Sequence, residues 1–170
     1  RIVVNEIFCE DLRDGEFGKI KKLSRSVFAQ NAIILCELLK NKELDRKEVD
    51  VWNHTLLLTA LVHCAKSIGL KKYKSGKTYA ELMDLLKKEV LKGNLYPDVY
   101  ASIYDIVYWF NYHKSYYGRQ ISFDPKTGKN YCVEIDDAIG VDVRRAEIGL
   151  PPVWAFCQKY NITPPANYKY

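Results

Sequence analysis

The side chains able to do chemistry in this chain gather in a few places, and the densest groups are basic and aromatic. Arg144 and Arg145 stand side by side in "VEIDDAIGVDVRRAEIG", residues 133–149. That run reads as two short helices around Gly140-Val141-Asp142, the first ending at Ile139-Gly140 and the second capped by Asp142, with both arginines in its first turn. This is helix-turn-helix spacing, in which the first turn of the second helix meets a groove and its arginines reach phosphates or guanine edges. "KSIGLKKYKSGK", residues 66–77, holds five lysines, one tyrosine and no acid. Ammonium groups so close, within a Debye length of about 10 Å, grip phosphates together, and the tyrosine is free to stack on a base. Lys71, Lys72, Lys74 and Lys77 are its candidate phosphate contacts, joined by Lys126 and Lys129 near a turn further on.

A third group, His113, Tyr116 and Arg119 in "WFNYHKSYYGR", offers a general base beside a phenol and a cation, the parts an RNA-cleaving site needs. His54 and His63, nine residues apart, fall on opposite faces of one helix and cannot share a metal. Glu134, Asp136 and Asp137 form the one acidic cluster; adjacent Asp side chains diverge, so an acidic first helical turn explains them better than a divalent metal site. No phosphate-binding glycine loop is written before Gly76-Lys77-Thr78, because Lys71 stands where the first glycine of that motif belongs. The five cysteines, at 9, 36, 64, 132 and 157, are odd in number, widely spaced and without a Cys-x-x-Cys pair. They read as buried thiols in a reducing compartment, with neither a disulfide framework nor a zinc site. No metal or other cofactor is expected.

These groups need elements to carry them. Apolar residues at helical spacing place helices from Ser24 to Asn41, over an almost wholly apolar stretch from Val51 to Ile68 stopped by Gly69, from Tyr79 to Leu91 behind a Thr78/Glu81 start signal, and from Pro97 to Gly118. "QISFDPKTGKNYCVEI" alternates around Asp124-Pro125-Lys126-Thr127-Gly128, which is hairpin chemistry. Pro151-Pro152 opens a last helix with Val153, Trp154, Phe156, Cys157 and Tyr160 on its apolar face, and Pro164-Pro165 leads into an extended tyrosine-rich tail. "RIVVNEIFC" suits a short strand or arm closed by Asp14-Gly15, and residues 41–50 a polar connector. The expected fold is therefore mainly α: a helical bundle core with an N-terminal arm over 1–118, then a β-hairpin and a small helix-turn-helix-like module over 119–170.

The C-terminal motif resembles the DNA-binding module of alkylguanine alkyltransferase-like proteins, through Glu134, Ile135, Ala138, Ile139 and Gly140, then Arg145, Ala146, Ile148 and Gly149, with Asn161 and Pro164 downstream. The resemblance implies a recognition helix with Arg145 turned to the DNA stack. It implies no alkyl transfer, because the Pro-Cys-His-Arg active-site motif of that family is missing. The helical core is similar in architecture to the HEPN class, although the arginine those ribonucleases carry upstream of the histidine is replaced here by Ile106, Val107 and Tyr108. With a formal charge of +5 and thirteen tyrosines, the expected function is nucleic-acid binding, to duplex DNA first, in a regulatory protein of phage or mobile-element type. Two alternatives stand beside it. One is a small inhibitor or adaptor of a nucleic-acid-handling protein, anchored by the tyrosines of "YWFNYHKSYYGR" and "PPANYKY"; the other is a ribonuclease centred on His113. A cytoplasmic location is expected, since no secretory signal or membrane-length apolar run is seen.

Overall fold

A computed structural model describes residues 17–42, 44, 54–71 and 75–169. The N-terminal arm, its Asp14-Gly15 turn, most of the polar connector, and Lys72 and Lys74 lie outside the described residues. The architecture is mainly α with one antiparallel hairpin. Helices α1 (Phe17–Asn41), α2 (His54–Gly69), α3 (Gly76–Leu91) and α4 (Pro97–Tyr112) come first. Strands β1 (Ile121–Asp124) and β2 (Lys129–Cys132) follow, and then α5 (Val141–Glu147) and α6 (Val153–Tyr160).

The four long helices form because their apolar residues recur every three to four positions and must be covered. Helix α1 packs on α2 and α3, and α4 packs on both α2 and α3. Leu82, Leu86, Leu95, Val99, Ile103 and Val107 are fully buried where they meet. Each large aliphatic side chain so removed from water contributes roughly 1.5–3 kcal/mol. A second, smaller core holds Cys132, Ile135, Val141, Val153, Phe156, Cys157, Ile162 and Tyr168. Ile148 and Leu150, which follow α5, belong to the first core and so join the two.

Punctuation is legible at most ends. Gly93, at φ 80°, follows α3 in the left-handed region that glycine enters freely. Pro97 opens α4 and Pro152 precedes α6. The hairpin pairs Asp124 with Lys129 across residues 125–128, and Gly128 takes φ 67°. Helix α1 starts earlier than Ser24, and α3 begins at Gly76 with Ser75 as its cap residue in place of Thr78.

Three expectations are corrected. Helix α4 does not run to Gly118: His113 turns left-handed at φ 57°, and its N–H bonds the Trp109 carbonyl at 2.8 Å. The first helix of the supposed helix-turn-helix does not form, so residues 133–140 are turns and α5 stands alone. The backbone groups such a helix would pair internally are taken by other segments. Ser115 N donates to Glu134 O, Asp136 N to Ser115 O and Val133 N to Gln120 O, while Asn167 bonds both the N–H and the carbonyl of Ile135. Finally, the tail is packed, not free. Thr163 bridges Tyr131, and buried Tyr168 donates its hydroxyl to Asp142 at 2.6 Å.

Candidate functional site

Arg145 is wholly buried. Its Nε donates to Pro151 O at 2.5 Å and its Nη1 to Tyr117 O at 2.6 Å, while Nη2 finds no acceptor among the described residues. Burial and the neighbouring Arg119 cation push its guanidinium below the usual arginine range. Arg144 lies over the Tyr116 ring at 4.5 Å, holds Asp137 at 2.6 Å, and donates through Nη2 to the carbonyls of Tyr116, Asp136 and Asp137. Neither arginine is presented to a groove as expected. Asp142 is not the cap of α5 either, because that place falls to Gly140 and the Asp142 carboxylate accepts from Val153 N and Tyr168. The sequence pattern of the supposed reading helix is thus spent on holding the protein together.

The arginines act on a loop that an unforeseen residue holds from the other side. Asp105, fully buried in the middle of α4, accepts from the Ser115 hydroxyl and from the N–H groups of Tyr116 and Tyr117, both at 2.8 Å, and of Arg119 at 2.6 Å. Burial raises its carboxyl above the usual carboxylate range, and these donors pull it part of the way back. The available signal was an acid inside the apolar run "YASIYDIVYWF", which a buried helix tolerates only when the charge is answered.

His113, Tyr116 and Arg119 are dispersed by this arrangement. His113 is exposed and meets the edge of Trp109 at 6.1 Å. Tyr116 is inserted among Tyr104, Tyr108 and Tyr117. Arg119 turns the other way, over Phe156 at 4.4 Å and 3.7 Å from Asp98. No contact among the described residues joins the three. The acidic cluster is likewise occupied: Asp136 accepts from Tyr108 at 2.5 Å and from Lys114 at 3.2 Å. No group of three or more His, Cys, Asp or Glu among the described residues is placed to hold a metal ion. His63 stacks on Phe28 at 4.9 Å, inside the bundle.

One concave feature among the described residues lies where α2 ends, α3 begins and the last two turns of α4 pass. It is a cavity of about 430 Å³ lined by the rings of Tyr79, Tyr104, Tyr108 and Tyr112, within the range of about 300–1,000 Å³ usual for small-molecule sites. Four-residue spacing creates it. Tyr100, Tyr104, Tyr108 and Tyr112 fall on one face of α4, with successive ring centroids 6.3, 6.0 and 4.5 Å apart. The column climbs from buried Tyr100 to Tyr112, which is 48 % exposed. Asn111 fixes the neighbouring helix end, donating to Gly69 O at 2.9 Å and accepting from Lys71 N at 3.0 Å. That bond sets Lys71 at the rim with its ammonium 3.9 Å from the centre of the Tyr112 ring. Gly69 must be glycine for closeness, since a Cβ there would stand 2.6 Å from the Tyr79 ring and 2.7 Å from Val107.

Among the expected phosphate contacts, Lys71 therefore lies on the cavity rim and Lys77 is exposed in the first turn of α3, next to the lining residue Gly76. Lys126 and Lys129 are exposed on the hairpin. The tyrosine column was missed because its rings were read as scattered anchors. The tail anchor Tyr168 is buried, which removes it from any exposed binding surface. No protein family, curated protein or solved structure matches this chain. Among the described residues no helix is long and apolar enough to cross a membrane.

Proposed function

We propose that this protein binds nucleic acid by taking an unpaired base into the tyrosine cavity, with the adjoining phosphates held by Lys71 and Lys77. The observation that carries the reading is the column of Tyr104, Tyr108 and Tyr112 ending at a lysine-bearing rim. Bases stack on aromatic rings for roughly 1–3 kcal/mol each, independent of sequence, and lysines beside such rings track the backbone. The N-terminus of α3 adds partial positive charge at the same rim. Single-stranded nucleic acid suits this shape better than a duplex, because a cavity takes one base and offers no helix to a groove. Arg144 and Arg145 have no part in the reading.

Fluorescence anisotropy with labelled single-stranded and duplex oligonucleotides of the same sequence, at two salt concentrations, tests it. The single strand is expected to bind more tightly, with log K falling against log salt by about 0.7 per phosphate contact. Tyr112→Ala is expected to weaken it by about 1–3 kcal/mol, and Lys71→Ala to flatten the salt slope by one contact. No binding at low salt, or equal binding by Tyr112→Ala, overturns the reading.

A protein partner is the second reading, and it rests on a different place. Ile139 is 98 % exposed and Val143, four residues on, 66 % exposed. Copurification of one stoichiometric partner that survives nuclease and is lost on Ile139→Asp supports it.

A further inference from the structure

Two thiols that the function above does not use face each other in the second core. Cys132 ends β2 and Cys157 lies mid-way along α6; their Sγ atoms are 3.7 Å apart, and each residue is 2 % exposed. A disulfide needs about 2.05 Å between the sulfurs, so side-chain rotation with a small shift of the exposed hairpin has about 1.7 Å to close. We infer that Cys132 and Cys157 form a reversible oxidation site, converted to a disulfide by a small peroxide.

Among the described cysteines the chemistry favours this pair. The two thiols share a hydrogen bond in which either can donate, and the Cys132 thiol also reaches the Gly118 carbonyl at 3.8 Å. That bond and the buried Arg145 cation lower one thiol of the pair, Cys157, and raise the other, Cys132. The thiolate then forms on Cys157, and the same chemistry runs with the two sulfurs exchanged. The Cys157 thiolate attacks hydrogen peroxide, forming a sulfenic acid and hydroxide, which takes up the proton the thiol gave up. The Cys132 sulfur then displaces the hydroxyl of the sulfenic acid, and a second water leaves. Both sulfurs are oxidised by one electron each and the two peroxide oxygens are reduced, giving one disulfide and two waters. Cys36 and Cys64 sit in the other core, where burial pushes both thiols up, that of Cys64 to about 12. They lack this activation. The two-stranded hairpin, exposed over most of its length, is the element whose opening admits the oxidant.

The bond would join the hairpin to α6 and close a loop of about 25 residues, which raises Tm by about 5–10 °C by restricting the unfolded chain. The experiment treats the whole reduced protein with hydrogen peroxide, then alkylates it under denaturing conditions and maps the peptides. The expected result is loss of two hydrogens, two of the five thiols protected from alkylation, a Cys132–Cys157 linked peptide, and a raised Tm that dithiothreitol reverses. Cys157→Ser is expected to keep its thiols alkylatable under the same treatment. Should that variant fail to fold, the peptide map of the unaltered chain decides alone. Pairing that involves Cys9, Cys36 or Cys64, stable sulfinic acid at Cys157, or full alkylation of both thiols overturns the inference.

Discussion

At the scale of single residues, Arg145 carries the greatest consequence. It is an arginine with no exposed surface, two carbonyls to satisfy and, among the described residues, no carboxylate in contact. Truncation to alanine leaves two buried acceptors unanswered and a large void, so Arg145→Ala is expected to cost about 3–5 kcal/mol, read as a fall in the urea midpoint. Arg145→Lys should recover only part of this, because one ammonium cannot span both carbonyls as the guanidinium fork does. A groove-reading arginine would behave oppositely, losing binding at unchanged stability. The sequence made the wrong role persuasive for a physical reason. Spacing places two arginines on a helix near a turn, but whether that helix faces water or the core depends on contacts with Tyr117 and Pro151, which local pattern does not contain.

Among elements, α4 is the one most fully legible and most under-read. Pro97 marks its start, and of the apolar residues at helical spacing, Val99, Ile103, Ile106, Val107 and Phe110, the first two and Val107 are buried, Ile106 is partly buried and Phe110 is 45 % exposed. Its end differs from the sequence expectation because Asp105 captures the Ser115 hydroxyl and the N–H groups of Tyr116, Tyr117 and Arg119, a long-range event with no signature in residues 113–118 themselves. The tyrosines at four-residue intervals were equally visible, yet the cavity they line also needs Gly69 and Tyr79 from other helices. Gly69→Ala tests that assembly. A Cβ there meets Val107 and the Tyr79 ring at under 3 Å, so the expected cost is about 1–3 kcal/mol of overpacking, with Tyr79 displaced and weaker oligonucleotide binding. Thermal denaturation together with the anisotropy assay reads both effects. The module after the hairpin was the least legible region, since its turns and tail are held by side chain to backbone bonds such as Asn167 to Ile135, not by a periodic pattern.

For the whole molecule, acid is the revealing stress. Burial pushes the Glu89 carboxyl up, but hydrogen bonds from Leu44 N, Asn94 and Lys92 outweigh it and leave it below the usual glutamate range. Asp136, held by Tyr108 and Lys114, is also lowered. Groups lowered in this way contribute stability above their unfolded pKa values, about 4, and the contribution is lost as pH falls through the folded values. Asp105 is raised and has the opposite sign, favouring the folded state as it takes up its proton. The expected outcome is a protein whose Tm falls below about pH 4, with a smaller fall in Glu89→Gln. A pH series of melting curves on both proteins checks it.

The loop from Ser115 to Arg119 lies between the buried Asp105 carboxyl on one side and buried Arg145 with half-buried Arg144 on the other. Asp105 holds its N–H groups, while Arg144 and Arg145 hold the carbonyls of Tyr116 and Tyr117. Between Asp105 and Arg145 the peptide units act as polarised spacers, whereas Arg144 also pairs directly with the Asp137 carboxylate at 2.6 Å. Because both ends hold the same loop, Asp105→Asn and Arg145→Ala are expected to be non-additive in a double-mutant cycle of urea midpoints. Proline at 116 or 117 would remove an N–H that Asp105 holds, and the Tyr116 and Tyr117 rings are themselves packed against Tyr100, Tyr104 and Tyr108.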